Sequence, residues 1–167
     1  MHLFLLGVSH RTAPVDLREQ LDFSSRDLGA GVEGRAPRPG AAGPGVLSTC
    51  NRSEIYVASS DPGVPKEEIV RFLSEYHRLP PDAFSQHLFS LTDADAAAHL
   101  FRVAAGLDSL VVGEPQILGQ VKEAYATASE RHASGPVLNK LFHTSFGVGK
   151  RVLETALPAF QKLPRSF

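Results

Sequence analysis

The order of apolar runs in the first 91 residues is the feature that most constrains how this chain can fold. Short strand-like runs alternate with amphipathic stretches, and Gly and Pro separate several of them. The predicted strands cover residues 3–8, 46–49, 54–58 and 87–91, and the predicted helices lie within residues 13–23 and 61–77. This β-α-β-β-α-β order is that of a ferredoxin-like split βαβ unit. We therefore predict an α+β fold with a ferredoxin-like βαββαβ core at about 1–91.

Three further helices are predicted to follow this core as a C-terminal helical extension. Thr92 and Asp95 have capping-box spacing at the start of the first helix. The second begins at Pro115 and ends near Gly135, and the third covers about 137–155. The positions predicted to face inward are Ile117, Leu118, Val121, Tyr125 and Ala128 in the second helix, and Leu138, Leu141, Phe142, Val148 and Val152 in the third.

Glycine interrupts the regular pattern in two places. Residues 29–45 are rich in Gly and Pro, cannot hold a regular helix, and are predicted to form a surface loop. Gly147 and Gly149 lie inside the third C-terminal helix, where each weakens the helix by about 1 kcal/mol relative to alanine.

Composition excludes several classes of protein. The 167 residues are 43% hydrophobic, which is enough for the core of one domain, and no apolar run approaches the length of a membrane span. The formal net charge of −1 does not favour a general nucleic-acid binder, because such proteins are usually strongly basic. A single cysteine excludes an internal disulfide framework and a multi-thiolate metal site. The N-terminus is too short and wrongly flanked for a signal peptide, so we expect a cytoplasmic, reduced protein.

The single cysteine, Cys50, is predicted to lie on the turn between two strands. Its neighbours Thr49, Asn51 and Arg52 are all polar, whereas free cysteines are usually small buried apolar residues. Arg52 would favour the thiolate form, which is the nucleophilic species. Cys50 is therefore a candidate nucleophile, and an incidental thiol is the alternative.

His99 is the candidate general base. Asp95 and Arg102 lie four residues before it and three after it, so the three side chains share one face of a predicted helix. A solvated helix histidine beside a carboxylate is the alternative. The seven histidines show no metal-ligand spacing, so we predict no metal site.

The stretch "GLDSLVVGEPQILGQ", residues 106–120, is the third candidate. Glu114, Gln116 and Gln120 gather at the start of the helix that Pro115 opens. Amide side chains and free N–H groups at a helix start can bind a polar or anionic small molecule, and ordinary capping is the alternative. The chain contains neither a Gly-rich dinucleotide fingerprint nor a Walker loop.

Four motifs together resemble one enzyme family. They are "GVSHRTAP" near the start, "LSTCNRSEIY" at 47–56, "GLDSLVVGEPQILGQVKEAY" at 106–125 and "GKRVLET" at 149–155. In this order they are similar to the glutamyl-tRNA reductases, which open the five-carbon route to tetrapyrroles (porphyrins). The resemblance implies that a cysteine thiolate attacks glutamyl-tRNA to form a thioester, which NADPH then reduces to glutamate-1-semialdehyde.

The resemblance also implies roles for residues of this chain. Cys50 corresponds to the nucleophile, and His99 to a histidine that assists thiolate formation or acyl transfer. Arg52 is suited to bind the substrate carboxylate, because a guanidinium matches it with two hydrogen bonds. The residues assigned to the substrate pocket are Thr49, Asn51, Arg52, Ser109, Glu114, Pro115, Gln116 and Gln120.

The resemblance covers the family's first, catalytic domain, at 1–155, and leaves 156–167 as a divergent tail. Family members continue into an NADPH-binding domain and a dimerisation domain, so we expect this chain to hold only the acyl-transfer half of the reaction. Its expected partners are glutamyl-tRNA and, in the pathway, glutamate-1-semialdehyde aminomutase. The alternatives are a non-catalytic relative that binds glutamyl-tRNA or a pathway partner as a regulator, and a gene remnant without function. A small thiol redox module is disfavoured, because no resolving cysteine is present.

Overall fold

An antiparallel sheet forms the centre of the protein in the computed structural model, which describes residues 1–23, 44–63, 66–113, 116–130 and 135–156. Within these ranges the sheet has four strands, in the order β2-β3-β1-β4. They are β1 (His2–Ser9), β2 (Gly45–Thr49), β3 (Arg52–Ser59) and β4 (Phe89–Thr92). Each neighbouring pair is antiparallel, so β1 and β3 are the central strands.

Helices connect the strands in the predicted order. Helix α1 (Val15–Gln20) lies between β1 and β2, and α2 (Lys66–His77) lies between β3 and β4. The α+β class and the βαββαβ core are thereby confirmed. Three helices follow: α3 (Asp93–Ala104), α4 (Gln116–Glu130) and α5 (Pro136–Arg151). None of the helices in the described ranges is long and apolar enough to cross a membrane.

The sheet is covered on both faces, because successive side chains of a strand point to opposite sides. Leu6 of β1 packs with α1 and α2, together with Ile55 and Val57 of β3. Leu5 of β1 packs with α3, α4 and α5, together with Tyr56 of β3. The helical extension therefore closes the face that the βαββαβ unit leaves open.

Several element boundaries differ from prediction. Strand β4 covers residues 89–92 and not 87–91, because Ser85–His87 form a single 3₁₀ turn. The predicted capping box is wrong: Thr92 makes no side-chain cap hydrogen bond. The neighbouring Asp93 is held instead by β1, since its Oδ1 accepts a hydrogen bond of 2.9 Å from the backbone N–H of Leu3.

The C-terminal helices match most of the predicted inward positions. Ile117, Leu118 and Val121 of α4 are buried, and so are the first three predicted positions of α5. Tyr125, Val148 and Val152 are half-buried, and the side chain of Ala128 lies outside the described set.

Helix α5 ends at Arg151 and is followed by a wider π-helical turn, Val152–Ala156. Most of the predicted loop at 29–45 and nearly all of the tail also lie outside the described residues.

Candidate active site

Cys50 lies at the exposed tip of the β2–β3 hairpin, as predicted. The last pair of this hairpin joins Thr49 to Arg52, so Cys50 and Asn51 alone form the turn. The hydroxyl oxygen of Thr49 accepts a hydrogen bond of 3.2 Å from the backbone N–H of Asn51. The thiol is therefore presented to solvent on a short, hydrogen-bonded turn.

Two neighbouring segments fasten this turn. The backbone N–H of His10 donates to the carbonyl oxygen of Asn51 at 2.8 Å, which extends the β1–β3 pairing by one step. Arg18 of α1 donates from Nε to the carbonyl oxygen of Cys50 at 3.4 Å and from Nη1 to that of Ala13 at 2.8 Å. The position of Cys50 thus depends on the "SHRTAP" segment as well as on its own hairpin.

Behind the turn, β3 carries a row of polar side chains into the protein interior. Arg52, Glu54 and Tyr56 alternate along the strand, so they lie on the face covered by α3, α4 and α5. Arg52 is 1% exposed and Glu54 is fully buried. A buried charge is costly unless it is paired and hydrogen-bonded, so the contacts of these two residues decide whether the arrangement is stable.

The Glu54 carboxylate has three partners. Nη1 of Arg52 donates to its Oε1 at 2.9 Å, and the Tyr56 hydroxyl donates to its Oε2 at 2.7 Å. The His99 ring, from α3, places Nε2 2.8 Å from Oε1. We call Arg52, Glu54, Tyr56 and His99 the Glu54 cluster.

Gly7 makes room for this cluster. It pairs with Glu54 across the β1–β3 ladder. A Cβ atom at Gly7 would lie 2.7 Å from the carbonyl oxygen of Ser53 and 3.0 Å from Cα and Cγ of Glu54. The "GVSH" motif therefore needs glycine at this position because the buried glutamate approaches the backbone closely.

The ionisation of the cluster follows from these contacts. Burial alone would raise the pKa of Glu54, but hydrogen bonds and charges from His99, Arg52 and Tyr56 outweigh burial and hold the pKa below its ordinary value. Burial and the Glu54 carboxylate raise the pKa of Tyr56 well above its ordinary value, so its hydroxyl remains a donor. Burial opposes the charge of Arg52, yet Glu54 and Asp108 together raise its pKa.

Asp108 is the second carboxylate on Arg52. Nη1 of Arg52 donates to Oδ2 of Asp108 at 3.1 Å, and Nη2 donates to the Asp108 backbone carbonyl oxygen. Asp108 lies in the loop at 105–113, which follows α3 and is closed by a 2.9 Å hydrogen bond from Gly113 N–H to the Gly106 carbonyl oxygen. Both glycines have positive φ, 74° and 81°, which favours glycine there.

One donor of Arg52 remains open. Its Nε is buried and has no hydrogen-bond partner among the described residues. An unsatisfied buried N–H is unfavourable by about 1–3 kcal/mol, more when the group is charged. The Arg52 guanidinium thus has one unpaired N–H, while both oxygens of the neighbouring Glu54 carboxylate have hydrogen-bond partners.

His99 does not share an exposed helix face with its predicted neighbours. It is buried, packs against the Phe89 ring at 5.3 Å between centroids, and pairs with Glu54. Asp95 and Arg102, its expected neighbours on one face, are both exposed. The alternative of a solvated histidine is therefore wrong, and so is the assignment of Asp95 as its carboxylate.

The remaining predicted site residues are spread over a wider area. Ser109 is half-buried and follows Asp108 directly, on the loop that contacts Arg52. Gln116 and Gln120 are exposed on α4, and in the part of the chain that the structure describes no hydrogen bond joins them to the Cys50 turn. Glu114 and Pro115 lie outside the described residues. In those ranges no group of three His, Cys, Asp or Glu side chains is arranged to hold a metal ion.

Sequence reasoning missed Glu54, Tyr56 and Asp108. A signal for the first two was present, because Glu54 and Tyr56 lie two residues apart on the predicted strand 54–58. Arg52 lies two residues before them and shares their face once the strand is extended to begin there. Asp108 gave no comparable signal, since its contact with Arg52 spans 56 residues of sequence.

Comparison with known proteins gives one consistent result. Residues 6–156 match the family described as Glutamyl-tRNAGlu reductase, N-terminal domain. The chain is 47% identical over 158 residues to the glutamyl-tRNA reductase of Syntrophotalea carbinolica, an alignment that covers 94% of this chain and 36% of that protein.

The fold is similar to the solved structure of glutamyl-tRNA reductase from Methanopyrus kandleri. The TM-score is 0.72 at 30% sequence identity, and the match covers 91% of this chain and 34% of that one. The chain therefore spans about a third of the length of both relatives.

Proposed function

Because this chain belongs to the glutamyl-tRNA reductase family, as an N-terminal domain, we propose that it performs the acyl-transfer step of that enzyme, in the tetrapyrrole pathway. The observation that carries the proposal is the exposed thiol of Cys50 on the hairpin turn. Arg52, two residues further along the chain, has a buried guanidinium group whose Nε–H has no hydrogen-bond partner among the described residues. A nucleophile and a carboxylate-binding group thus lie two residues apart.

In this step the Cys50 thiolate attacks the ester carbonyl carbon of glutamyl-tRNA. The new C–S bond forms as the C–O bond to the terminal ribose breaks, and the ribose oxygen leaves on the tRNA and takes up a proton. The product is a glutamyl thioester on Cys50. The exposure of the thiol supports this proposal, because the ester is attached to a large RNA that cannot enter a buried site.

Recognition of the glutamyl group is assigned to Arg52 and the residues around the turn. Arg52 binds the side-chain carboxylate, with its open Nε–H among the donors. Thr49, Asn51 and Ser109 lie on the turn and on the loop that contacts Arg52, so they are proposed to border the same pocket. Gln116 and Gln120, with Glu114 and Pro115, remain proposals from the family motif alone.

His99 is proposed to act through Glu54. Its Nε2 lies against the Glu54 carboxylate, which in turn binds Nη1 of Arg52. This chain of contacts supports a positioning role, in which His99 fixes the charge and orientation of Glu54 and thereby of the guanidinium.

The described residues do not fit NADPH, the hydride source that the resemblance implies. A dinucleotide fold requires a parallel strand–glycine loop–helix unit, whereas each strand pair of the described sheet is antiparallel. We therefore derive no reduction step for this chain. Glutamyl-tRNA is its proposed partner in a reduced, cytoplasmic setting; contact with the aminomutase and dimerisation of the longer enzyme are further proposals.

Intact-mass spectrometry tests the proposal directly. The purified chain is incubated with glutamyl-tRNA in the absence of NADPH, beside Cys50→Ser and Arg52→Lys variants. We expect a glutamyl adduct, or cysteine-dependent release of glutamate, with the wild-type chain and not with Cys50→Ser. Arg52→Lys should slow adduct formation by about 10- to 100-fold, since a lysine ammonium keeps the charge but cannot form the two parallel hydrogen bonds of a guanidinium to the substrate carboxylate.

A binding titration of the same chain with glutamyl-tRNA, run beside the mass measurement, identifies the alternative. Tight binding of glutamyl-tRNA with neither adduct nor glutamate release would contradict acyl transfer and indicate a binding protein. An adduct of equal yield on Cys50→Ser would show that Cys50 is not the nucleophile.

A further inference from the structure

The burial of Arg52 conflicts with simple access to it. Its side chain is 1% exposed, so a carboxylate from solution cannot reach the guanidinium while the surrounding groups stay in place. On one side lies Glu54, which is fully buried and belongs to the central strand β3. On the other lies Asp108, which is 14% exposed. Of the two carboxylates that contact Arg52, Asp108 is the one nearer to solvent.

Asp108 is held between two arginines. Its Oδ2 accepts from Nη1 of Arg52 at 3.1 Å, and its Oδ1 lies 3.1 Å from Nη2 of Arg11. Arg11 belongs to the segment after β1 and is 64% exposed. Two guanidinium groups that converge on one carboxylate match both its charge and its geometry.

The loop that carries Asp108 differs from the strand that carries Glu54. It has no regular structure between its two glycines, and it exposes several large apolar side chains: Leu107 at 49%, Leu110 at 65%, Val111 at 66% and Val112 at 60%. Movement of residues 107–112 therefore uncovers little buried apolar surface. Movement of Glu54 would break three hydrogen bonds in the sheet interior.

We propose that Asp108 occupies, in the free protein, the place that the substrate's side-chain carboxylate takes between Arg52 and Arg11. The proposal rests on the proposed function and adds Arg11 as a second binding residue. When glutamyl-tRNA binds, its carboxylate replaces that of Asp108 and the loop at 105–113 moves away. When the substrate carboxylate replaces that of Asp108, two carboxylates lie beside the two arginines: that of Glu54 and that of the substrate. If the substrate were added while Asp108 stayed, a third carboxylate would lie there, and charge repulsion would oppose its binding.

Paired binding measurements test this exchange. A Cys50→Ser parent is titrated with glutamyl-tRNA and with the same tRNA charged with glutamine (glutaminyl-tRNA below), whose side-chain amide has nearly the same shape without the charge. The ratio of the two dissociation constants isolates the carboxylate contact, because phosphate contacts contribute equally to both RNAs.

Arg11 and Asp108 should change this ratio in opposite directions. Asp108→Asn and Asp108→Ala, which remove the competing carboxylate, should tighten glutamyl-tRNA binding about three- to tenfold and leave glutaminyl-tRNA unchanged. Arg11→Gln should weaken glutamyl-tRNA binding by about tenfold with no effect on glutaminyl-tRNA. Arg71→Gln, an exposed arginine on α2, is the matched control and should leave both constants unchanged.

Each other outcome overturns part of the proposal. Weaker glutamyl-tRNA binding by both folded Asp108 variants would make Asp108 a positioning residue for Arg52, and equal loss for both RNAs in Arg11→Gln would assign Arg11 to the phosphate backbone. A parent that does not distinguish the two RNAs would overturn the carboxylate site. If the carboxylate site is correct but acyl transfer does not occur, the Cys50→Ser parent would still distinguish the two RNAs, while the wild-type chain would form no adduct on its thiol.

Discussion

At the scale of single residues, the charge of the Glu54 carboxylate determines the hydrogen bonding within the Glu54 cluster. Its carboxylate is the only group that contacts Arg52, Tyr56 and His99 among the described residues. A charged glutamate is stable there because its partners outweigh the unfavourable effect of burial on ionisation. Loss of that charge would leave Arg52 buried with Asp108 as its remaining carboxylate.

The first prediction concerns the pH dependence of stability. The pKa of Glu54 is lower in the folded than in the unfolded chain, so Glu54 stabilises the fold at pH values above its unfolded pKa. This contribution is lost as the pH falls through the lower, folded pKa. Glu54→Gln should reduce the free energy of unfolding by about 3–5 kcal/mol at pH 7, because it leaves a buried arginine incompletely paired. It should also flatten the dependence on pH below about 4.5.

Urea unfolding followed by circular dichroism between pH 3 and 7 measures both effects. Asp95→Asn is the control, since Asp95 is exposed in the first turn of α3 and should change stability by only about 0.5 kcal/mol. If the two variants lose similar stability, the buried network does not contribute as described.

How far individual site residues could be predicted depends on the range of their contacts. The exposure of Cys50 follows from local sequence, because two strand-like runs leave only a short polar turn between them. The burial of Arg52 does not, because it depends on a helix and a loop far along the chain, which supply His99 and Asp108. Local pattern therefore located the exposed thiol and missed the carboxylates that pair with Arg52.

At the scale of elements, α5 shows why a helix can require glycine inside it. A Cβ atom at Gly149 would lie 2.6 Å from the backbone carbonyl oxygen of Ala104, at the end of α3. A Cβ atom at Gly147 would have no heavy atom within 4 Å. The two glycines, which sequence alone treats as equal weaknesses, thus have different roles.

This difference gives a matched pair of substitutions. Gly149→Ala should destabilise the protein by about 1–3 kcal/mol, because α3 and α5 must separate to admit the methyl group. Gly147→Ala should stabilise it by up to about 1 kcal/mol through helix propensity alone. Urea unfolding of both variants measures the difference. Equal stabilisation by both would contradict the close contact between α3 and α5.

Element boundaries were predicted less well than the elements themselves. Periodicity located α4 and α5, because each buries a continuous apolar face. The start of α3 was predicted correctly at Thr92, but the capping hydrogen bond was not: the Thr92 side chain makes none, and the tertiary contact between Asp93 and Leu3 holds that end. Such contacts depend on the completed sheet, which local sequence does not describe.

At the scale of the whole molecule, the central sheet belongs to two cores at once. Leu5 and Leu6 are neighbours on β1, each 1% exposed, and they point into opposite cores. The sequence predicted the βαββαβ unit and the helical extension separately, but not that the extension covers the second face of the same sheet. Shared strands make independent unfolding of the two parts unfavourable.

The last prediction tests this coupling. Leu5→Ala and Leu6→Ala should each lower the free energy of unfolding by about 2–5 kcal/mol, since each leaves a cavity in one core. Because β1 contributes to both cores, each variant should unfold in a single transition, with far-UV circular dichroism and tyrosine fluorescence coincident. Val15→Ala, at a position 52% exposed on α1, should change stability by no more than about 0.5 kcal/mol. Two separate transitions, with Leu5→Ala shifting one and Leu6→Ala the other, would instead show that the ferredoxin-like core and the helical extension fold as independent units.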